Sequence, residues 1–167
     1  MGRYRIFLPL VMVGLSFVRL SLAAPINDAQ AQQLIPAIAK VMLQRATTTA
    51  LLQYCGQHYP PIRTPAKQAT TAWLQGNHHV LVKADTLRRQ LLLQLTQQQS
   101  RFNAEMLGLD IDKAVHLSVQ HFERLLASYT KQQQDNVCNH LIHAVRTGEW
   151  DVRHKQAKAF AILENFH

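Results

Sequence analysis

From Leu34 to Leu163, apolar side chains recur at three- and four-residue spacing, and no stretch alternates apolar with polar residues. That period is the signature of helices with one buried face, whereas strands would show a period of two. Leu34, Ile35, Ile38, Val41, Met42, Leu52 and Cys55 trace the first face, and Pro36 marks its start or a kink. Asp28 is the expected cap of its first turn. Cys55-Gly56 begins the stop and Pro60-Pro61 completes it. Thr64-Pro65 then restarts a helix, with Thr64 as N-cap and Pro65 at the first helical position.

Ala69, Ala72, Trp73, Val80, Ala84, Leu87, Leu91, Leu95, Phe102 and Met106 keep the helical period over residues 65–107. Gly76 and Asp85 are weak breaks, and the pattern fits either one long helix or two. His79 to Val82 has strand propensity but no partner strand, so helix is expected there too. Gly108 and Asp110 read as the next boundary, with Asp110 and Asp112 as cap residues. Val115, Val119, Phe122, Leu125, Leu126 and Tyr129 form the face that follows. Lys131 to Asn136 is polar throughout, a turn or a wet helix surface. Val137, Cys138, Leu141, Ile142 and Val145 resume the pattern until Gly148. Asp151 is the expected cap of a terminal helix bearing Val152, Ala159, Phe160 and Leu163. The chain therefore reads as all-α: a single-domain bundle of four to six amphipathic helices.

The segment before this pattern has a different character. A short basic start (Arg3, Arg5) precedes an apolar run from Ile6 to Val18, and Ser21-Leu22-Ala23 places small residues where a signal peptidase inspects them. This is the layout of a secretory signal. The run is interrupted by Pro9 and closed by Arg19, short of the roughly 20 apolar residues that a spanning helix needs. The expected division is a signal peptide over residues 1–23 and one helical domain over 24–167, with no transmembrane segment after cleavage. Export to the periplasm or beyond gives an oxidising compartment, in which the only two cysteines, Cys55 and Cys138, are expected to pair.

Composition changes this picture little. The net charge of +8 falls to +5 once Arg3, Arg5 and Arg19 leave with the signal, since residues 1–23 contain no acid. A charge of that size along helices brings solubility and mild attraction to anionic surfaces. It lacks the dense basic stripe and interleaved aromatics of a nucleic-acid binder, and no nucleic-acid partner is expected. Runs such as Gln97-Gln98-Gln99 and Gln132-Gln133-Gln134 read as solvated helix faces or polar turns.

The candidate chemistry is sparse. Among nine histidines, His140 and His143 share a helix face and are the candidate metal ligands, with His58 or His154 as a third. Noncovalent haem would ask for axial ligands from Met42, Met106 or the histidines. Neither nucleophile elbow nor phosphate loop occurs, and Glu149 with Asp151 around Trp150 suits an inter-helix turn better than half of a glycosidase site. No cofactor is expected and no catalytic residue is assigned. Trp73 with Asn77, in Trp73-Leu-Gln-Gly-Asn77, and Trp150 with Asp151, in Gly148-Glu-Trp-Asp151, read as core anchors or as exposed recognition residues.

The spacing of these features resembles that of a group of small uncharacterised exported proteins of Gram-negative bacteria. The similarity covers roughly residues 50–152: Cys55 and Pro60, Trp73 and Asn77, then Cys138, Gly148 and Asp151, with Gly76 where a basic residue is expected. The resemblance implies an all-helical fold, a periplasmic or secreted location and a Cys55–Cys138 bond, and brings no activity with it. The expectation is an exported bundle that acts by binding a protein or an envelope component, with a metal- or haem-binding bundle and an enzyme as the alternatives.

Overall fold

The computed structural model describes residues 26–97 and 101–166, and for 101–110 the backbone alone. The expected signal peptide and its cleavage point lie outside the described residues, as do the side chains of Phe102 and Met106.

Seven α-helices follow one another, with no strand among the described residues: α1 (Asp28–His58), α2 (Arg63–Gly76), α3 (His78–Gln97), α4 (Arg101–Ala127), α5 (Lys131–Arg146), α6 (Val152–Lys155) and α7 (Ala157–Glu164). A single 3-10 turn, Pro60–Ile62, joins α1 to α2. The helices form a bundle around α1, which packs against α2, α3, α4, α5 and α7. Its stripe of Leu34, Ile38, Val41, Leu52 and Cys55 is almost wholly removed from water, together with Trp73, Val152 and Leu163 from other helices.

Several helix ends differ from the expected ones, each for a physical reason. Asn27, not Asp28, caps α1: its side chain accepts from the Gln30 amide while the Gln30 side chain accepts from the Asn27 amide, a reciprocal capping box. Asp28 sits in the first turn, where its charge still suits the helix dipole. Pro36 lies two turns inside α1, which runs on past Cys55-Gly56 to His58. The second helix starts at Arg63, so Thr64 is not its cap, and Pro65 falls among first-turn positions whose N–H groups need no intrahelical partner.

The long 65–107 pattern is divided at Asn77, and among the described residues it is carried by α2, α3 and the start of α4. The boundary expected at Gly108 and Asp110 does not exist: α4 continues through both, because one glycine costs a helix only about 1 kcal/mol, within reach of tertiary packing. The polar stretch Lys131–Asn136 is the first part of α5, capped by a second capping box between Thr130 and Gln133. The C-terminal helix is broken at Gln156 into α6 and α7.

Cys55 and Cys138 are bonded, and both are fully buried. The bond ties the end of α1 to the middle of α5 across 83 residues of sequence. Nearby, the buried Tyr59 hydroxyl donates to Gln134 Oε1, while Gln134 Nε2 donates to the carbonyls of Leu126 and Tyr129. A glutamine from an apparently solvated run thus secures the α4–α5 connection. Burial pushes the Tyr59 phenol above its ordinary pKa, and the nearby Asp135 and Tyr54 push the same way. At the opposite end, Gln94 of α3 bonds both the amide and the carbonyl of Ile26, which holds the start of the described chain.

Candidate functional site

The turn between α5 and α6 gathers the residues with the most unusual surroundings. Gly148, with φ of 79°, adopts the left-handed conformation that reverses the chain after α5. The Trp150 amide then donates back to the Ala144 carbonyl at 3.2 Å, and the Asp151 amide to the Gly148 carbonyl at 3.0 Å.

Two side chains converge on the Trp150 carbonyl. Gln44 Nε2 of α1 donates to it at 2.7 Å, and Trp73 Nε1 of α2 donates at 2.9 Å. The indole N–H of Trp150 donates to Thr48 Oγ1 of α1 at 2.8 Å. One residue of the turn is therefore fixed at its amide, its carbonyl and its ring. Both indole N–H groups are satisfied, as buried tryptophans require.

Asn77, at the break between α2 and α3, completes the arrangement. Its Nδ2 donates to the Trp73 carbonyl at 2.8 Å and to Asp151 Oδ1 at 3.1 Å, and its Oδ1 accepts from the Val152 amide at 2.9 Å. Asp151 occupies the cap position of α6 without capping it through its side chain; its carboxylate is engaged by Asn77 instead, and Asn77 Oδ1 receives one of the free amides of α6. The four residues Trp73, Asn77, Trp150 and Asp151 thus form one polar cluster, although 77 positions separate the two tryptophans. Trp73 and Asn77 are buried, at 2 % and 5 % exposure, whereas Trp150 and Asp151 are half-buried.

Sequence reasoning missed Gln44 and Thr48. A signal was available: both continue the buried stripe of α1 between Val41 and Leu52, at positions where a helix buried on several sides carries core residues. Gln44 is only 7 % exposed, and its Oε1 is buried with no hydrogen-bond partner. An unpaired buried acceptor of this kind costs roughly 1–3 kcal/mol.

The exposed edge of Trp150 borders a groove of about 250 Å³, walled by Gln44, Thr47 and Thr48 of α1, Phe122 of α4 and Lys155 of α6. Lys155 Nζ lies 4.9 Å from the centre of the Trp150 ring and 3.5 Å from Glu149 Oε1. Phe122, expected on a buried face, is 37 % exposed and Leu125 40 %, while Leu126 is buried. The second half of α4 thus offers part of its apolar face to solvent.

His140 and His143 are both exposed on α5. His143 lines a separate open cleft with Arg146, Asn139 and Pro65. Among the described residues no three His, Cys, Asp or Glu side chains converge as a metal ion would need. No helix among the described residues is long and apolar enough to cross a membrane. Comparisons with protein-family models, with curated proteins and with solved structures give no match. Of what the resemblance implies, the structure carries the all-helical fold and the bond between the two cysteines.

Proposed function

We propose that the chain is an exported, disulfide-stapled helical bundle that acts by binding a protein or an envelope component, and that the Trp150 corner is its recognition site. The observation that carries this reading is the fixation of Trp150. Its carbonyl and indole N–H are held by Gln44, Trp73 and Thr48, yet the half-buried residue still borders a groove. Rigid tryptophans at the edge of a pocket supply much of the energy at binding interfaces, because little side-chain freedom is lost when a partner docks. The buried disulfide fits an oxidising compartment, and the amino-terminal charge and apolar pattern fits export.

The test is affinity capture from the source cell envelope with the wild-type protein and with Phe122→Ala. Phe122 lines the groove but takes no part in the hydrogen bonding that holds the turn. A partner captured by the wild type and lost with Phe122→Ala supports the reading. Equal capture by both proteins contradicts the site, and turnover of a defined substrate abolished by a single substitution contradicts the binding role.

A further inference from the structure

A second cleft, of about 580 Å³, lies between the start of α2 and the last turns of α5 and shares no lining residue with the groove beside Trp150. Its volume falls within the range of small-molecule sites and is several times the roughly 150 Å³ that holds benzene. The apolar part of its wall is aliphatic: Ile62 of the 3-10 turn, Pro65 of α2 and Ile142 of α5. Among the described residues no Trp, Tyr or Phe borders it, so a visiting ring finds no large aromatic face to stack on.

The polar part comes from one face of α5. Asn139, His143 and Arg146 stand at i, i+4 and i+7, and all three are exposed. Each offers side-chain N–H donors. Among the described residues the ion pairs are made by Arg45, His79, Arg88 and Lys155, and none by His143 or Arg146. Nor are these two side chains needed to close the end of α5. The carbonyls of His143, Ala144 and Val145 already receive the amides of Thr147, Trp150 and Gly148, and Thr147 Oγ1 donates to the first two as well.

No acid competes for these cations. The chain has no Asp or Glu between Asp28 and Asp85, so the 3-10 turn and α2 bring none to their side of the cleft. The acid of α5 is Asp135, placed about 12 Å before His143 along the helix axis. Glu149, past the Gly148 reversal, stands 3.5 Å from Lys155 instead.

We propose that this cleft binds an aliphatic chain ending in an oxyanion, a carboxylate or a phosphate. The chain lies along Ile62, Pro65 and Ile142. The oxyanion meets the guanidinium of Arg146, whose planar fork matches two oxygens, and the ring N–H of His143. From Asn139 to Thr147 the cleft follows about 12 Å of α5, close to the extended length of decanoate. The site is separate from the Trp150 corner and does not depend on the reading of that corner.

The experiment is a titration of the protein labelled at its isoleucine methyl groups, followed at Ile62 and Ile142, with decanoate and with decyl phosphate below their micelle concentrations. Acetate, decanol and decyltrimethylammonium form the comparison arms. One or both oxyanions should shift the two isoleucines saturably, and the tighter binder identifies the head group. Acetate and the ammonium amphiphile should leave them in place over the same range. Arg146→Gln, at an exposed position, should weaken decanoate roughly two- to fivefold, the yield of one exposed ion pair. It should leave the weaker binding of decanol and the urea midpoint unchanged.

Decanol or decyltrimethylammonium that binds as tightly as decanoate overturns the anionic head, as does indifference of decanoate to Arg146→Gln. Acetate that binds as tightly overturns the aliphatic body. If neither oxyanion shifts Ile62 and Ile142, or if decanoate shifts the Trp150 indole signal instead, the proposal fails.

Discussion

Replacing Asn77 with alanine should destabilise the fold by about 3 kcal/mol. Asn77 is 5 % exposed, and its side chain makes three hydrogen bonds, one to the Trp73 carbonyl of α2 and two to Asp151 and Val152 at the start of α6. The largest loss is at the Val152 amide, in a residue with no exposed surface; leaving that N–H unpaired costs about 1–3 kcal/mol. Loss of the donor to the Asp151 carboxylate adds about 1 kcal/mol, since the acid is half-buried and water can replace part of the bond. The Trp73 carbonyl loses little, because the Asn77 backbone amide still donates to it at 3.0 Å. The sum corresponds to a fall in Tm of roughly 10 °C for a domain of this size.

Urea unfolding followed by far-UV circular dichroism measures the change. Asp151→Ala alone should cost about 1 kcal/mol, and the double variant should cost about 1 kcal/mol less than the two single costs combined, because each removes the same bond. An Asn77→Ala protein within about 0.5 kcal/mol of the wild type, inside the range of an ordinary surface substitution, would refute the reasoning. Strict additivity of the pair would show that the Asn77–Asp151 bond contributes nothing.

Replacing both cysteines with alanine should lower stability by about 4–5 kcal/mol in the chain-entropy model for a loop of 83 residues, and a urea midpoint that hardly moves would contradict a stapling role. Gly148→Ala should cost at least about 1–2 kcal/mol, because it forces a side chain into the left-handed region with Asp151 Oδ2 only 3.2 Å from the new Cβ; Gly76→Ala, with open space around it, should be neutral or stabilising by up to about 1 kcal/mol, and equal melting temperatures for the two variants would contradict both. Tyr59 should give an alkaline limit. Its folded pKa lies above the unfolded value of 10.0, so its contribution is complete below pH 10 and is lost as pH rises through the folded pKa; Tyr59→Phe should flatten the stability–pH curve above pH 10.

The fold class was legible in the 3.6-residue spacing of residues such as Leu34, Ile38, Val41, Leu87 and Leu91, all of which are buried. The disulfide was legible from two cysteines behind an export pattern. The two tryptophan motifs were picked out one by one, but their convergence was not readable, since Asn77 and Val152 meet only once α2 packs on α1 and the turn before α6 is held to α1 by Gln44 and Thr48. The break at Asn77 falls beside Gly76, one of the two weak breaks in the pattern, and α2 ends at that glycine. Gln44 and Thr48 were not singled out, because a polar residue on an α-helix ordinarily faces water; α1 is packed against several helices, and both residues are buried. The exposed Phe122 and Leu125 err in the other direction: apolar spacing marks a face but not whether another helix covers it.

The most direct test of the central claim is hydrogen–deuterium exchange on the protein with and without a captured partner. Recognition through the Trp150 corner predicts added protection confined to three stretches: residues 43–48 of α1, the part of α4 around Phe122, and residues 150–156. Protection centred instead on the exposed His140 and His143 face of α5, or spread evenly over the bundle, would contradict it.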